Sequence, residues 1–335
     1  MSEPIILAIE SSCDDTSAAV ISNGKILANI VATQHVHELY GGVVPELASR
    51  AHQQNIIPVV NQALATAKIA KSELHAVAFT RGPGLLGALL VGTSFAKAFA
   101  LGLNIPLIEV NHMQAHILAH FIDEPAPSFP FLCLTVSGGH TQLVVVKDHL
   151  EMEIIGQTTD DAVGEAFDKS AKLLGLPYPG GPTLDKLAKT GIPDRFTFPI
   201  VNLPGYDFSF SGIKTAIMYF LKDQTAKNPD FITQNINDLC ASIQNALIKT
   251  LFKKLIPAAA DLNINEIAIA GGVSANSGLR KALEEQAKIS GWKVFIPAFQ
   301  YCTDNAAMIA MAAHFKYLKG DFSNQYASPE PRLKF

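Results

Sequence analysis

Short apolar runs separated by polar turns open the chain, which is the pattern of β-strands. The apolar runs are residues 5–9, 18–21 and 26–32. Asn23-Gly24, between the second and third runs, is typical of a tight turn between antiparallel strands, so we predict a three-stranded meander. Apolar residues then recur at helical spacing over residues 45–68, and we expect this helix to pack on the sheet.

Residues 76–116 alternate between strand and helix patterns. The apolar runs 76–80 and 106–110 predict buried strands, and the small-residue segment 85–101 between them predicts a helix. This order is typical of layered α/β folds with a partly parallel sheet. The second strand leads into a short predicted helix that carries His112 and His116.

The second half of the chain repeats the opening pattern after a proline-rich connector, residues 124–130. Apolar residues 131–136 and 142–146 flank the small-residue turn 137–141. An internal duplication with a domain boundary near the connector explains this recurrence, although two unrelated hairpins would also look alike.

Further elements are predicted in the second half by the same reasoning. Helices are expected at residues 159–175, 183–190, 213–222, 233–260, 277–288 and 306–318, and strands at 267–270 and 293–296. Residues 177–182 are rich in proline and glycine, so we predict neither a helix nor a central strand there.

Composition narrows the class of protein. With 335 residues, 48% hydrophobic and 17% charged, the chain is long and apolar enough for about two globular domains. Its formal charge of −4 lacks the basic excess of a self-sufficient nucleic-acid binder, so an RNA partner would need a local patch or a helper protein. Neither a signal peptide nor a membrane span is expected, and four widely spaced cysteines fit a reduced, cytoplasmic protein.

His112 and His116 are the first candidates for chemistry, because a spacing of four residues puts both imidazoles on one helical face. The pair can be two buried core residues or two ligands of a divalent metal ion. Asp304 follows a predicted strand and precedes a helix, where binding residues of layered α/β folds lie, and it is a candidate third ligand. Met113 stands where a zinc protease needs glutamate, which disfavours that class.

Two glycine turns are candidates for binding an anion. Residues 137–139 lie between two predicted strands, and Gly271-Gly272 precedes a helix. Each can be a simple turn, but their corresponding positions at strand ends favour a nucleotide site. Neither a P-loop nor a Rossmann motif is present in the sequence. Several carboxylates also lie in or near turns, as caps or as site residues: Asp14, Asp15, Asp161, Asp168 and Asp185.

Taken together, ten segments in order resemble the universal family of tRNA N6-threonylcarbamoyladenosine transferases, TsaD in bacteria. They are residues 9–14, 40–50, 81–91, 111–116, 136–141, 160–174, 178–182, 207–214, 271–276 and 303–305. The departures are small: Asp15 stands where glutamate is usual, and Gln114-Ala115 replaces Glu-Gly.

The resemblance implies a fold like that of actin, hexokinase and heat-shock-protein ATPases (ASKHA), with two α/β lobes around a nucleotide cleft. The lobes would be residues 1–123, completed by about 306–335, and residues 124–305. It implies one divalent metal ion, iron or zinc, held by His112, His116 and Asp304. It also implies a set of substrate-binding residues: Thr135, Val136, Ser137, Gly138, Gly139, Asp168, Gly181, Asp185 and Asn276.

The implied reaction moves the threonylcarbamoyl group of threonylcarbamoyl-AMP to the exocyclic N6 amine of the adenosine 3′ of the anticodon in ANN-reading tRNAs. A metal would polarise the carbonyl, and Asp14 is our candidate for orienting or deprotonating the amine. The implied partners are tRNA, a paralogous subunit (TsaB) and an ATPase (TsaE). Residues 40–47 and 85–100 would provide an interface, or are buried within the monomer.

Two alternatives remain at this point. A kinase or ATPase of the same fold would transfer phosphate with Mg²⁺, which prefers oxygen ligands to imidazole. A non-catalytic nucleotide-binding scaffold would need no metal. Iron and zinc both accept two imidazoles and a carboxylate, so the sequence leaves both open.

Overall fold

Two five-stranded mixed sheets organise the chain in the computed structural model, which describes residues 4–335. The first sheet contains β1 (Ile5–Glu10), β2 (Asp15–Ser22), β3 (Lys25–Thr33), β4 (Ala76–Gly82) and β5 (Leu107–Asn111). Its order is β3-β2-β1-β4-β5. The first three strands form the predicted antiparallel meander, and β4 and β5 continue the sheet in parallel.

The second sheet has the same arrangement. It contains β6 (Phe131–Val136), β7 (Thr141–Asp148), β8 (Glu151–Gln157), β9 (Glu266–Ala270) and β10 (Lys293–Phe295), in the order β10-β9-β6-β7-β8. In both sheets the third, second, first, fourth and fifth strands are neighbours in that order. The predicted duplication of a mixed-sheet unit is therefore confirmed.

Nine helices cover the sheets within residues 4–335. They are α1 (Pro45–Ala67), α2 (Leu86–Leu103), α3 (His112–Leu118), α4 (Val163–Leu173), α5 (Gly180–Ala188), α6 (Ser211–Lys227), α7 (Phe231–Asp261), α8 (Ser277–Ser290) and α9 (Ala306–Leu318). Short 3-10 helices occur at His35–Tyr40, Lys71–Glu73, Ala119–Phe121, Gly272–Ala275 and Phe299–Tyr301.

The start of α5 corrects one prediction. We expected no helix at residues 177–182, but α5 begins at Gly180 and contains Pro182 in its first turn. A proline is tolerated there because the N–H groups of the first turn have no intrahelical acceptor to lose.

The first unit comprises the residues up to Ala126 together with Asp148–Met152 and Pro297–Phe335. Side chains of β1 alternate between its two faces. Leu7 and Ile9 are buried with α1 and α2, whereas Ile6 and Ala8 are buried with α3 and α9. The sheet is thus covered on both sides. Helix α3, which carries His112 and His116, and α9, which begins shortly after Asp304, lie on the same side.

Helix α2 is the one helix in the described part of the chain that is long and apolar enough to cross a membrane. Ala88, Ala96 and Ala100 of α2 are fully buried, and the last two belong to the core between this helix, α1 and the first sheet. Small residues allow this close helix packing, so one face of α2 belongs to the core of the first unit.

The second unit comprises Pro127–Lys147 and Glu153–Ile296. Its core contains Leu132, Leu134 and Val136 of β6, together with apolar side chains of α4, α5, α6, α7 and α8. The predicted lobe limits, residues 1–123 with 306–335 and residues 124–305, stay a prediction.

Candidate functional site

Helix α3 presents the two histidines because its first turn is fixed by Asn111. The Asn111 Oδ1 atom accepts hydrogen bonds from the N–H groups of Met113 and Gln114, at 2.9 and 3.2 Å. This N-cap starts the helix directly after β5. His112 and His116 therefore lie one turn apart on the same buried face, with 7% and 1% of their surface exposed.

Asp304 completes the group from the other end of the chain. Its Oδ1 lies 3.3 Å from Nε2 of His112 and 3.2 Å from Nε2 of His116. The ligand atoms of the three residues all lie within 4.8 Å of one another. Two imidazole nitrogens and one carboxylate oxygen are a donor set that suits zinc or iron with an open coordination position. The residues therefore fit the metal that the sequence resemblance implies.

A buried carboxylate, Glu10, stands behind this group at the end of β1. Its Oε2 lies 3.0 Å from Nδ1 of His112, and no part of Glu10 is exposed. Burial raises the pKa of Glu10, but the attraction and hydrogen bond of His112 outweigh it, so the net pKa is lowered. The lowered pKa favours the carboxylate form of Glu10, which accepts hydrogen bonds and does not donate them.

The same charges act on the ligands themselves. Burial lowers the pKa of His112, but attraction to Asp304 and Glu10 dominates and raises it well above the ordinary 6.5. Burial raises the pKa of Asp304, and His112 more than reverses this, whereas burial lowers the pKa of His116. Without a metal, the raised pKa thus favours a protonated His112 ring between the two carboxylates. A bound cation would replace the proton on Nε2.

The predicted base Asp14 lies in a partly buried turn between β1 and β2. His52 of α1 holds this turn: its Nε2 donates to the carbonyl of Cys13 at 3.0 Å, and its Nδ1 accepts from Thr16 at 2.8 Å. Burial lowers the pKa of His52, which keeps the ring neutral for both bonds. The neighbouring Asp15 has a buried Oδ1 with no hydrogen-bond partner among the residues that the structure describes, and burial raises the pKa of this carboxyl to about 6.

The turn after β6 leaves two backbone donors free. Ser137 and His140 bond to each other, with Ser137 N–H donating to the His140 carbonyl at 2.9 Å and His140 N–H donating to Ser137 Oγ at 3.0 Å. Gly138 and Gly139 between them are exposed, and their N–H groups have no acceptor in the described part of the chain. Such a pair of free donors suits an anion.

Three other predicted substrate residues cap helices of the second unit. Asp168 Oδ1 accepts from the N–H groups of Gly180 and Gly181 at the start of α5, at 2.9 Å each. Asp185 accepts from Ser277 at the start of α8, and the Oδ1 of Asn276 accepts from the N–H of the α8 residue Leu279 at 2.9 Å.

Close backbone contacts of two glycines connect the elements that carry these residues. A β-carbon on Gly164, near the start of α4, would lie 2.5 Å from the carbonyl oxygen of Ser137. A β-carbon on Gly271 would lie 2.5 Å from that of Val136. Together with the caps of α5 and α8, these approaches bring the predicted substrate residues of the second unit around one surface. The side chains of Thr135 and Val136 are buried in β6, and the carbonyl oxygen of Val136 is the atom that Gly271 approaches.

Sequence reasoning assigned no role to Glu10, His52 or Gln244. Gln244 accepts from the side-chain amide of Asn276 at 2.7 Å and so fixes its orientation. The available signal for Glu10 was a charged residue at the end of an otherwise apolar strand, since such a residue needs a partner to be buried.

Solved structures with a similar fold define the class of protein. One is nucleotide-bound full-length HypF, with a TM-score of 0.63 and 13% identity over 96% of this chain and 47% of that chain. Another is component A of the Acidaminococcus fermentans (R)-2-hydroxyglutaryl-CoA dehydratase, with a TM-score of 0.55 and 16% identity over 94% and 99%. The chain thus has the expected ASKHA-type α/β fold, and it carries a His-His-Asp group.

Sequence comparison gives the family. The family model for tRNA N6-adenosine threonylcarbamoyltransferase, TsaD, matches residues 25–311. A protein of that name from Cytophaga hutchinsonii is 67% identical over 329 residues, 98% of this chain and 96% of the relative. One from Thermosipho africanus is 48% identical over 337 residues, 98% and 99% of the two chains. The chain belongs to this family of transferases, which confirms the resemblance and disfavours the kinase or ATPase alternative.

Proposed function

We propose that the chain transfers the threonylcarbamoyl group from threonylcarbamoyl-AMP to N6 of the adenosine 3′ of the anticodon in ANN-reading tRNAs. Family membership supports the reaction class. The observation that carries the assignment to this chain's own residues is the convergence of His112, His116 and Asp304 on one point.

The metal centre of this proposal is one divalent ion per chain, Fe²⁺ or Zn²⁺, held by His112, His116 and Asp304. When bound, it supplies Lewis-acid polarisation of the threonylcarbamoyl carbonyl. The Asn111 cap fixes the start of α3 and therefore the positions of the two histidines that would hold this ion. Polarisation matters because the lone pair of the acceptor amine is delocalised into the adenine ring, which makes the amine a weak nucleophile.

The adenylate part of the substrate is proposed to bind the second unit. The free N–H groups of Gly138 and Gly139 would hold the phosphate and stabilise the negative charge of the departing AMP. Ser137, Asp168, Gly181, Asp185 and Asn276 would shape the remainder of the site, and the backbone of Thr135 and Val136 would line it. Their connection through helix caps supports a single, rigid binding surface.

Asp14 is proposed as the proton acceptor. The N6 nitrogen attacks the carbamoyl carbon, the bond from this carbon to the phosphate oxygen breaks, and AMP leaves with the electron pair. The amine proton passes to Asp14. The fixed position of the Cys13 carbonyl, held by His52, supports a defined place for this carboxylate in the turn.

The proposed partners are tRNA, a TsaB-like paralogous subunit and a TsaE-like ATPase, and the proposed location is the cytoplasm. The formal charge of −4 supports a helper in tRNA binding. For the paralogous subunit we propose residues 40–47 and 85–100 of the first unit. Tyr40, Leu86 and Leu90 there are 63%, 52% and 46% exposed, which supports an apolar contact surface.

A reconstitution experiment tests the function. The purified chain, with the two partner proteins, receives threonylcarbamoyl-AMP and an ANN-reading tRNA, and nucleoside analysis detects the product. A tRNA with guanosine in place of the acceptor adenosine is the matched control. We expect N6-threonylcarbamoyladenosine in the first tRNA alone. A phosphorylated product without acyl transfer would contradict the proposal.

A further inference from the structure

Glu10 has a geometry that goes beyond filling the core. Its Oε1 accepts from the N–H of Ser12 at 2.5 Å, and its Oε2 accepts from Oγ1 of Thr80 at 2.6 Å and faces Nδ1 of His112 at 3.0 Å. The bonds from Ser12 and Thr80 fix the carboxylate, which is wholly buried at the end of β1. Nδ1 of His112 thus faces this fixed acceptor, and the Oγ of Ser12 lies 3.3 Å from the same nitrogen.

The second nitrogen of His112 faces the other way. Its Nε2 is the atom that lies 3.3 Å from Asp304 and belongs to the converging ligand group. Both oxygens of Glu10 already accept hydrogen bonds, from the N–H of Ser12 and the Oγ1–H of Thr80, as a carboxylate does, so the hydrogen of the Glu10–His112 bond is placed on Nδ1. In a neutral ring this leaves the lone pair on Nε2, directed at the place of the metal. His116 differs, because its Nδ1 is buried and has no hydrogen-bond partner within residues 4–335.

We propose that Glu10 is a positioning residue of the metal centre, which sets the ring orientation and tautomer of His112. This inference rests on the proposed metal site and deepens it. A carboxylate behind a metal-bound histidine also makes the imidazole a more basic ligand. The effect is confined to one of the two histidines, so the two nitrogens of the site are unequal ligands.

The glutamine variant provides a sharp test because it replaces one carboxylate oxygen by an NH₂ group and changes the volume little. In Glu10→Gln the amide oxygen would keep the bond from Ser12, since an amide nitrogen cannot accept it. The NH₂ group would then face Nδ1 of His112 and donate to it. This favours the opposite tautomer, in which Nε2 carries a hydrogen and has no lone pair for a metal.

The experiment measures Zn²⁺ affinity of the full chain by competition with a chelator of known affinity, and the absorption spectrum of the Co²⁺-loaded protein. We expect Glu10→Gln to weaken Zn²⁺ binding about 10- to 100-fold and to alter the Co²⁺ spectrum. Thr80→Val, which removes a different bond to the same carboxylate, is the matched control and should change affinity less than about threefold, because the Glu10–His112 bond remains.

Wild-type affinity and an unchanged Co²⁺ spectrum in folded Glu10→Gln would overturn the inference. Failure of the wild-type chain to bind Zn²⁺ would instead refute the metal site itself, so the two failures are distinct. If Glu10→Gln does not fold, nitrogen-15 NMR of the Zn²⁺-loaded wild-type protein decides. A hydrogen on Nδ1 of His112 supports the inference, and metal bound to Nδ1 overturns it.

Discussion

The carboxylate of Asp185 accepts hydrogen bonds from both the N–H and the Oγ–H of Ser277, at 3.1 and 2.8 Å. It thereby caps α8, and it approaches the next N–H group, that of Gly278, at 3.4 Å. A negative charge at a helix N-terminus is also favoured by the helix dipole. Asp185, which we expect to contact the adenylate, thus also holds α5 against α8.

We therefore predict two separable effects for Asp185→Ala. The free energy of unfolding should fall by about 1–2 kcal/mol, because a helix cap and a dipole interaction are lost. AMP affinity should fall as well, because α8 would lose its anchor beside Asn276. Urea unfolding and calorimetric AMP titration measure the two effects. Ser277→Ala, which removes one of the bonds, should lose less stability, and an Asp185→Ala protein of wild-type stability would refute the capping role.

The free N–H groups of the 137–140 turn lead to a second prediction. A β-carbon on Gly139 would meet no atom of the described residues within 4 Å, so Gly139→Ala should change the free energy of unfolding by less than about 0.5 kcal/mol. The added methyl group lies where a phosphate would approach, so AMP affinity should fall.

Gly271→Ala is the contrasting variant of this pair. Gly271 has φ +87°, and its β-carbon would meet the carbonyl of Val136. We expect a loss of stability of about 1–3 kcal/mol from this strain. Thermal unfolding and AMP titration of both variants check the pair, and unchanged AMP affinity in Gly139→Ala would speak against phosphate binding at this turn.

The pH dependence of stability should reveal Asp15. Its folded pKa of about 6 lies above the ordinary 3.8, so its contribution to stability is complete below about pH 4 and is lost as the pH rises through 6. The difference between these pKa values corresponds to about 3 kcal/mol.

The asparagine variant isolates this effect. In Asp15→Asn the side chain stays neutral. Between pH 4 and 8, the free energy of unfolding of the metal-free variant should therefore fall by about 3 kcal/mol less than that of metal-free wild type. The wild-type protein is measured alongside as the reference. Chemical unfolding at a series of pH values measures both, and identical profiles for wild type and Asp15→Asn would show that burial of Asp15 does not oppose its ionisation.

Local patterns predicted most of the fold and part of the site. The i, i+4 spacing of His112 and His116 was sufficient to predict that the two side chains lie together, because one helix positions both. Asp304 was found through its place after a strand, although its contact with His116 spans 188 residues. Strand β8 was missed, since charged Glu151 and Glu153 alternate with its partly buried residues and hide the apolar pattern.

Contacts between residues that are far apart in the sequence could not be predicted from such local patterns. Glu10 and His112 are 102 residues apart and meet because β1 and α3 lie in adjacent layers of one unit. The partners of Asp185 and Asn276 likewise depend on how α5, α7 and α8 pack. Sequence spacing alone does not determine such contacts, since tertiary packing brings the elements together.

The central claim is that acyl transfer requires a metal ion at His112, His116 and Asp304, and one titration tests it most directly. Protein freed of metal by chelation receives Fe²⁺ or Zn²⁺ in steps, and bound metal and N6-threonylcarbamoyladenosine in tRNA are measured on the same samples. We predict that product formation rises with bound metal up to one ion per chain, and that folded His112→Ala neither binds the ion nor modifies tRNA. Full modification by metal-free protein would contradict the account.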